Sequence, residues 1–337
     1  MSLVFLLRHL CLAVAAATIL PSQAETTFAV GYQVGVDPAK VALADGRYEK
    51  ATGQAITWRR FNTGPEVIAA LASGDLQIGE IGSSPLAAAT SRRLPIVAFM
   101  IASQTSTGEA LVVRQDSAID KPADLAGKTI ATPFVSTSHY SLLGALKHWH
   151  IDPATVRIVN LKPAEISAGW RRGDIDGAFV WAPVLDDLKK NGYLLTDASE
   201  VGNWGSPTFQ VWVARKDFAE RHPEILARFT RVSLEAFSEY NAHKSEWTAD
   251  SDPVQKIARL TGADPLQVPA LLAGTHYPDA SEQLSSELLG GGTVKSLADT
   301  AQFLKAQKLV PSVLDDYTPY VTDKFVRVAQ QPQLGQR

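Results

Sequence analysis

Two stretches of this 337-residue chain put hydroxyl side chains where a strand gives way to a helix. One is Gly82-Ser83-Ser84-Pro85, where Ser84 suits the N-cap and Pro85 the first helical position. The other is Ser136-Thr137-Ser138-His139-Tyr140. Hydroxyls and free backbone N–H groups at a helix start attract an anion through the macrodipole and the unpaired donors. Plain capping explains most serine-rich helix starts, so charge placement has to decide. Neither helix carries an acid in its first turn: Leu86–Ser91 runs into Arg92-Arg93, and Ser141–His150 carries Lys147 and His148. The helix after Ala182-Pro183, by contrast, has Asp186 and Asp187. The first two starts are therefore expected to lack an internal counter-charge and to share one bound anion.

A helix start contributes only about 0.3–2 kcal/mol to an anion, whereas micromolar binding needs about 8 kcal/mol. Charge-assisted hydrogen bonds of about 1.5–3 kcal/mol each have to supply much of the rest. Aromatic walls that exclude water add to them, and Tyr32, Tyr140, Trp181 and Trp204 are the candidates. Tyr32-Gln33 and Trp181 end strands, and loops beyond the carboxyl ends of strands form clefts in such sheets. Glu109 opens the apolar run Ala110–Val113. Its carboxylate either faces a cleft, where it can hold an ammonium, or is an exposed strand-end acid.

Other chemistries find little support. The seven His residues show no metal-ligand spacing. No glycine-rich nucleotide loop or nucleophile elbow occurs. His139 beside three hydroxyl residues resembles a base beside a nucleophile, but no third member can be named. No enzyme, metal or cofactor is expected. The net charge is −3 and there is no basic run, so no nucleic-acid surface is expected.

The elements that must position these residues alternate. Strands are expected over Thr27–Gln33, Ile56–Phe61, Leu76–Gly82, Ile96–Ile101, Glu109–Val113, Lys128–Thr132, Val156–Asn160, Gly177–Trp181 and Phe209–Ala214, with helices such as Pro65–Ala72 between them. That is an α/β pattern with mostly parallel sheets. Beyond Arg215 it turns helical, most clearly over Pro223–Tyr240, Pro253–Leu260 and Val294–Gln307. Leu71-Ala72-Ser73-Gly74-Asp75-Leu76 echoes Trp170-Arg171-Arg172-Gly173-Asp174-Ile175, each reading as a helix end, a C′ glycine and a strand. The echo implies two lobes of like construction, with a ligand cleft between them. One lobe is expected over residues 25–113 plus 207–337 and the other over 114–206. Residues 1–24 read as a cleaved export signal: Arg8, an apolar run Leu10–Leu20 too short to span a bilayer, then Ser22 and Ala24 at the cleavage position. The only cysteine, Cys11, lies within it.

The sequence resembles the taurine-binding proteins of ABC importers, within the sulfonate/nitrate/thiamine-precursor binding superfamily. The resemblance runs from Phe28 to Val326. It rests on Leu71–Gly79 with Gly82-Ser83-Ser84-Pro85-Leu86, on Ser136–Leu143, on Arg172–Ala178 with Val180-Trp181-Ala182-Pro183, and on Val213–Glu220. It implies a type II periplasmic-binding-protein fold, a monomer that captures taurine or a close alkanesulfonate in the periplasm and delivers it to an ABC permease. The sulfonate is implied at the two helix starts and the ammonium against an acid. The implied site comprises Gln33, Ser83, Ser84, Glu109, Ser136, Thr137, Ser138, His139, Tyr140, Trp181 and Gln210. Gln210 departs from the pattern, which has an acid before Val-Trp-Val. Two other readings stay open: an enzyme of the thiamine-pyrimidine-precursor type, and a binding protein for another anion, such as nitrate or an aromatic sulfonate.

Overall fold

The computed structural model describes residues 27–104 and 107–331. The expected leader, with Cys11, lies outside the described residues. Among the described residues no helix is long and apolar enough to cross a membrane. The first half of the chain gives β1 (Phe28–Gln33), α1 (Ala39–Ala44), α2 (Arg47–Thr52), β2 (Ile56–Phe61), α3 (Gly64–Ser73), β3 (Ile78–Gly82), α4 (Ser83–Ser91), β4 (Ile96–Gln104), β5 (Glu109–Arg114), β6 (Thr129–Thr132) and α5 (Thr137–His148). Then come β7 (Arg157–Asn160), α6 (Pro163–Arg172), β8 (Gly177–Trp181), α7 (Val184–Lys189), β9 (Gly192–Asp197), α8 (Ala198–Asn203) and β10 (Phe209–Arg215). Helices α9 (Lys216–Arg221), α10 (Pro223–Ala242), α11 (Asp252–Thr261), α12 (Val268–Ala273), α13 (Ala280–Gln283), α14 (Gly292–Ala306) and α15 (Lys324–Gln330) follow.

The strands form two five-stranded sheets, in the orders β2-β1-β3-β10-β4 and β7-β6-β8-β5-β9. In each, four strands point one way and the fourth in order, β10 or β5, runs against both neighbours. Alternate side chains fill separate cores on the two faces of a sheet. Phe28, Val30 and Tyr32 enter one core of the first lobe, while Ala29, Ile81 and Val211 enter the other. Leu111, Val113 and Phe179 fill one core of the second lobe, while Ala110, Val112 and Val180 fill the other. Each large side chain so buried contributes about 1.5–3 kcal/mol.

Two expectations change. Glu109–Val113, expected in the first lobe, is hydrogen-bonded between β8 and β9 in the second sheet, because both its apolar faces fill second-lobe cores. The strand β9 was not expected at all. It is an edge strand with Leu194 exposed, so it lacks the continuous apolar run of its neighbours.

The sequence echo has a structural counterpart. Helices α3 and α6 end at Gly74 and Gly173, whose φ of 88° and 80° lie in the left-handed region that favours glycine. Arg215, closing β10, donates from Nη1 to the Leu71 carbonyl at 2.9 Å and pairs with Asp217. Arg114, closing β5, donates from Nη1 to the Trp170 carbonyl at 2.6 Å and pairs with Asp116. The reversed strand of each lobe thus ties down the same helix end.

Candidate functional site

The carboxyl ends of strands from both sheets face a cleft between the lobes, with about 780 Å³ of space, part of it open to solvent. Gln33, Glu80 and Gln210 line it from the first sheet, and Glu109, Thr137 and Trp181 from the second lobe. Leu271 and Thr275, from α12 and the turn after it, complete the wall.

The first-lobe wall carries a buried charge cluster. Lys40, on α1, contacts Asp37 closely and sits 3.4 Å from Glu80 Oε2. The Gln33 N–H also donates to that oxygen, at 3.2 Å. All three charged side chains are buried. Burial works against the Lys40 ammonium, but Asp37 and Glu80 outweigh it and hold its pKa above the ordinary value. Burial raises that of Glu80, against the pull of Lys40. Sequence reasoning missed this cluster. Its one local signal is an acid inside the buried run Ile78–Gly82, since Lys40 lies forty residues away.

The second-lobe wall is built on the start of α5. Ser136 is its N-cap: the hydroxyl accepts from the His139 N–H at 3.1 Å and donates to the Pro133 carbonyl at 2.5 Å. Glu109 lies against the next two residues. Its Oε1 accepts from the Thr137 hydroxyl at 2.6 Å and its Oε2 from the Ser138 hydroxyl at 2.8 Å. This corrects the expectation that the start of α5 lacks an internal counter-charge, because the carboxylate comes from β5 rather than from the helix. Burial pushes the Glu109 pKa up, and the two hydroxyl donors offset part of the rise.

The start of α4 is different. Gly82 rather than Ser84 is the N-cap, and Ser83, Ser84 and Pro85 form the first turn. No acid occupies that turn, and the buried Ser83 and Ser84 hydroxyls have no hydrogen-bond partner among the described residues. Neither lines the cleft, although their neighbours Gly82 and Pro85 do. The lobes touch here: a Cβ on Gly82 would meet Thr137 Cγ2 at 2.7 Å, so only glycine permits this approach. Gln210, paired with Gly82 across β10 and β3, has a buried Oε1 with no hydrogen-bond partner among the described residues.

Gln33, Glu109, Ser136, Thr137, Trp181 and Gln210 are thus brought together at the cleft. Ser138 and His139 do not line it. The His139 ring stacks on Phe134 at 4.5 Å, and burial lowers its pKa to about 4. Tyr140 turns away from the cleft and packs edge-on against Phe303 of α14, where Thr300 and Ser206 meet its hydroxyl. Two proposed walls also lie elsewhere. Tyr32 packs on Trp58 in the first-lobe core, and Trp204 stacks on His148 at 4.0 Å on the far side of α5. Neither ring lines the cleft.

No Lys, Arg or His lines the cleft among the described residues, while two carboxylates do. Burying an anion beside unpaired carboxylates is costly. The arrangement suits a short molecule with a cation at one end, and an anion at the other that takes N–H and O–H donors.

Residues 50–246 match the NMT1/THI5-like family. The chain is 50% identical to the taurine-binding periplasmic protein of Escherichia coli (strain K12), over 88% of this chain and 92% of that protein. It is 26% identical to a putative aliphatic sulfonates-binding protein of Bacillus subtilis (strain 168), over 89% of this chain and 87% of that one. The alkanesulfonate-binding protein of Xanthomonas axonopodis pv. citri, solved with MOPS bound, has the same fold. It superposes with a TM-score of 0.74 at 22% identity, over 88% of this chain and 98% of that one. These relatives are binding proteins, not enzymes. The chain belongs to the NMT1/THI5-like family and, within it, stands with the periplasmic binding proteins for taurine and other sulfonates.

Proposed function

We propose that this protein, exported to the periplasm with its leader removed after Ala24, captures taurine or a close amine-bearing alkanesulfonate and delivers it to an ABC permease as a monomer. One observation carries the choice of ligand: the cleft offers two carboxylates, an orphaned amide oxygen and no cationic side chain. The carboxylates suit an ammonium. The start of α4, which has no acid of its own, suits a sulfonate. Nitrate fits less well, because it brings a further negative charge beside two buried acids and no cation to offset it.

The test is thermal unfolding with taurine, with ethanesulfonate (same head and chain length, no amine) and with nitrate. A ligand that binds only the folded state adds about 2.7 kcal/mol at a hundred times its dissociation constant. Taurine is expected to raise the melting temperature well above either amine-free anion. A shift with nitrate or ethanesulfonate and none with millimolar taurine would transfer the assignment to a simple anion.

A further inference from the structure

The resemblance expects an acid at position 210, and this chain has Gln210 there. An amide oxygen can accept from an ammonium but cannot neutralise it. The question is where the compensating charge sits. Glu109 is one source, but each of its oxygens already takes a hydroxyl donor. The other is Glu80, on β3, two residues from Gly82, which pairs with Gln210. Its side chain is buried and lines the cleft. Its described hydrogen bonds, from Lys40 and the Gln33 N–H, all fall on Oε2. Lys40 does not cancel it, because Lys40 lies closer to Asp37 and must serve both acids. The cluster therefore holds two acids, Asp37 and Glu80, to one base, and its Glu80 lines the same cleft as the neutral amide of Gln210.

We infer that Glu80 is the first-lobe acid that receives the ligand's ammonium, in the place that the resemblance gives to an acid at position 210. Gln210 then contributes its unpartnered Oε1 as a second acceptor, and the Gln33 N–H and Lys40 hold the Glu80 carboxylate in place. Glu80 is a specificity-determining residue: it separates ligands that carry an amine from those that do not. The inference rests on the proposed capture of an amine-bearing sulfonate.

Calorimetric titration with taurine and with ethanesulfonate tests it on the wild type, on Glu80→Gln, and on Glu80→Gln combined with Gln210→Glu. Removing one partner of a buried pair costs enough that Glu80→Gln is expected to weaken taurine about a hundredfold or more. Ethanesulfonate has no ammonium to lose and meets one buried acid fewer, so it is expected to bind as tightly as before or more tightly. The double variant returns a carboxylate to the neighbouring strand and is expected to recover at least about tenfold of the taurine affinity. That recovery separates a lost charge from a damaged fold, which circular dichroism checks independently. If Glu80→Gln weakens both ligands equally, or the double variant recovers nothing while folded, the inference is overturned and the taurine reading stands. If the wild type binds ethanesulfonate as tightly as taurine, the reading itself fails and takes this inference with it.

Discussion

Lys40 and His139 occupy like places in the two lobes. Each is a buried base in the first turn of the helix that follows the second strand in sheet order, α1 after β1 and α5 after β6. Burial opposes a positive charge at both sites. At Lys40, Asp37 and Glu80 reverse the outcome and the ammonium is kept. At His139 burial acts alone, and the imidazole is neutral down to about pH 4. In lobe one the buried ammonium is paired with Glu80, which lines the cleft, and in lobe two the neutral ring is packing on Phe134. The lesson is that the lobes repeat their scaffold and not their strand ends: the same position becomes a charged or an inert group according to which carboxylates its neighbours bring.

The largest expected effect breaks or supports this contrast directly. The folded pKa of His139 lies below its ordinary 6.5. Its neutral form therefore contributes stability that is fully present above about pH 6.5 and lost as the pH falls to about 4, roughly 3 kcal/mol in all. Glu80 and Glu109, raised by burial, act in the opposite sense and favour the folded state as they become protonated. Comparison with His139→Gln cancels their contribution. Denaturant unfolding without ligand should show the wild type losing about 3 kcal/mol relative to the variant between pH 7 and pH 4. Equal pH dependence in the two proteins would mean that a compensating charge reaches His139, and the contrast with Lys40 would fall.

A smaller effect tests the sameness of the scaffold. Arg114→Ala and Arg215→Ala each remove one guanidinium donor from a helix-terminal carbonyl, at Trp170 and Leu71. Each should cost about 1–2 kcal/mol of stability, and the two costs should agree to within about half a kcal/mol. Neither should change the preference for taurine over ethanesulfonate, because neither guanidinium lines the cleft. A loss confined to one variant, seen in the denaturation midpoint, would show that the repeated contact does unequal work.

The scaffold was legible in the sequence for the reason that it repeats. Gly74-Asp75 and Gly173-Asp174 announce two helix ends, and β-branched runs place the strands around them. The cleft wall was legible only where local chemistry marks it, as in Ser136 and Thr137 at the start of α5 and in Glu109. What Glu109 does was not legible, because its partners Thr137 and Ser138 are about thirty residues away and reach it through sheet pairing and helix docking. Glu80 escaped for the same reason: Lys40 and Asp37 give it meaning, and no spacing rule links them. Tyr140 was misjudged because its partner Phe303 lies in the other lobe's helical half.

The smallest expected effect concerns an ion pair that links the two lobes. Glu66, in the first turn of α3, accepts from the Asn62 and Thr63 N–H groups through Oε2 and from Lys162 through Oε1, at 2.8 Å. Lys162 is the N-cap residue of α6 in the other lobe, where Glu165 accepts from its backbone N–H at 2.7 Å. The matching helix starts of the two lobes are thus linked by one ion pair. Lys162 is well exposed, so solvent screens the pair and it cannot decide the fold. If the proposed ligand is held between the lobes, the pair slows its release by holding them together. Glu66→Gln keeps a side-chain oxygen for the two N–H groups and removes the charge, and Lys162→Met removes the other partner. Each variant should release taurine about two to five times faster than the wild type at low ionic strength, by stopped-flow displacement. The difference should vanish near molar salt, where the screening length is only about 3 Å. The double variant should match either single one, because a broken pair has nothing further to lose. Additive effects would mean that each residue acts alone, and that the two lobes are not linked there in the ligand-bound protein.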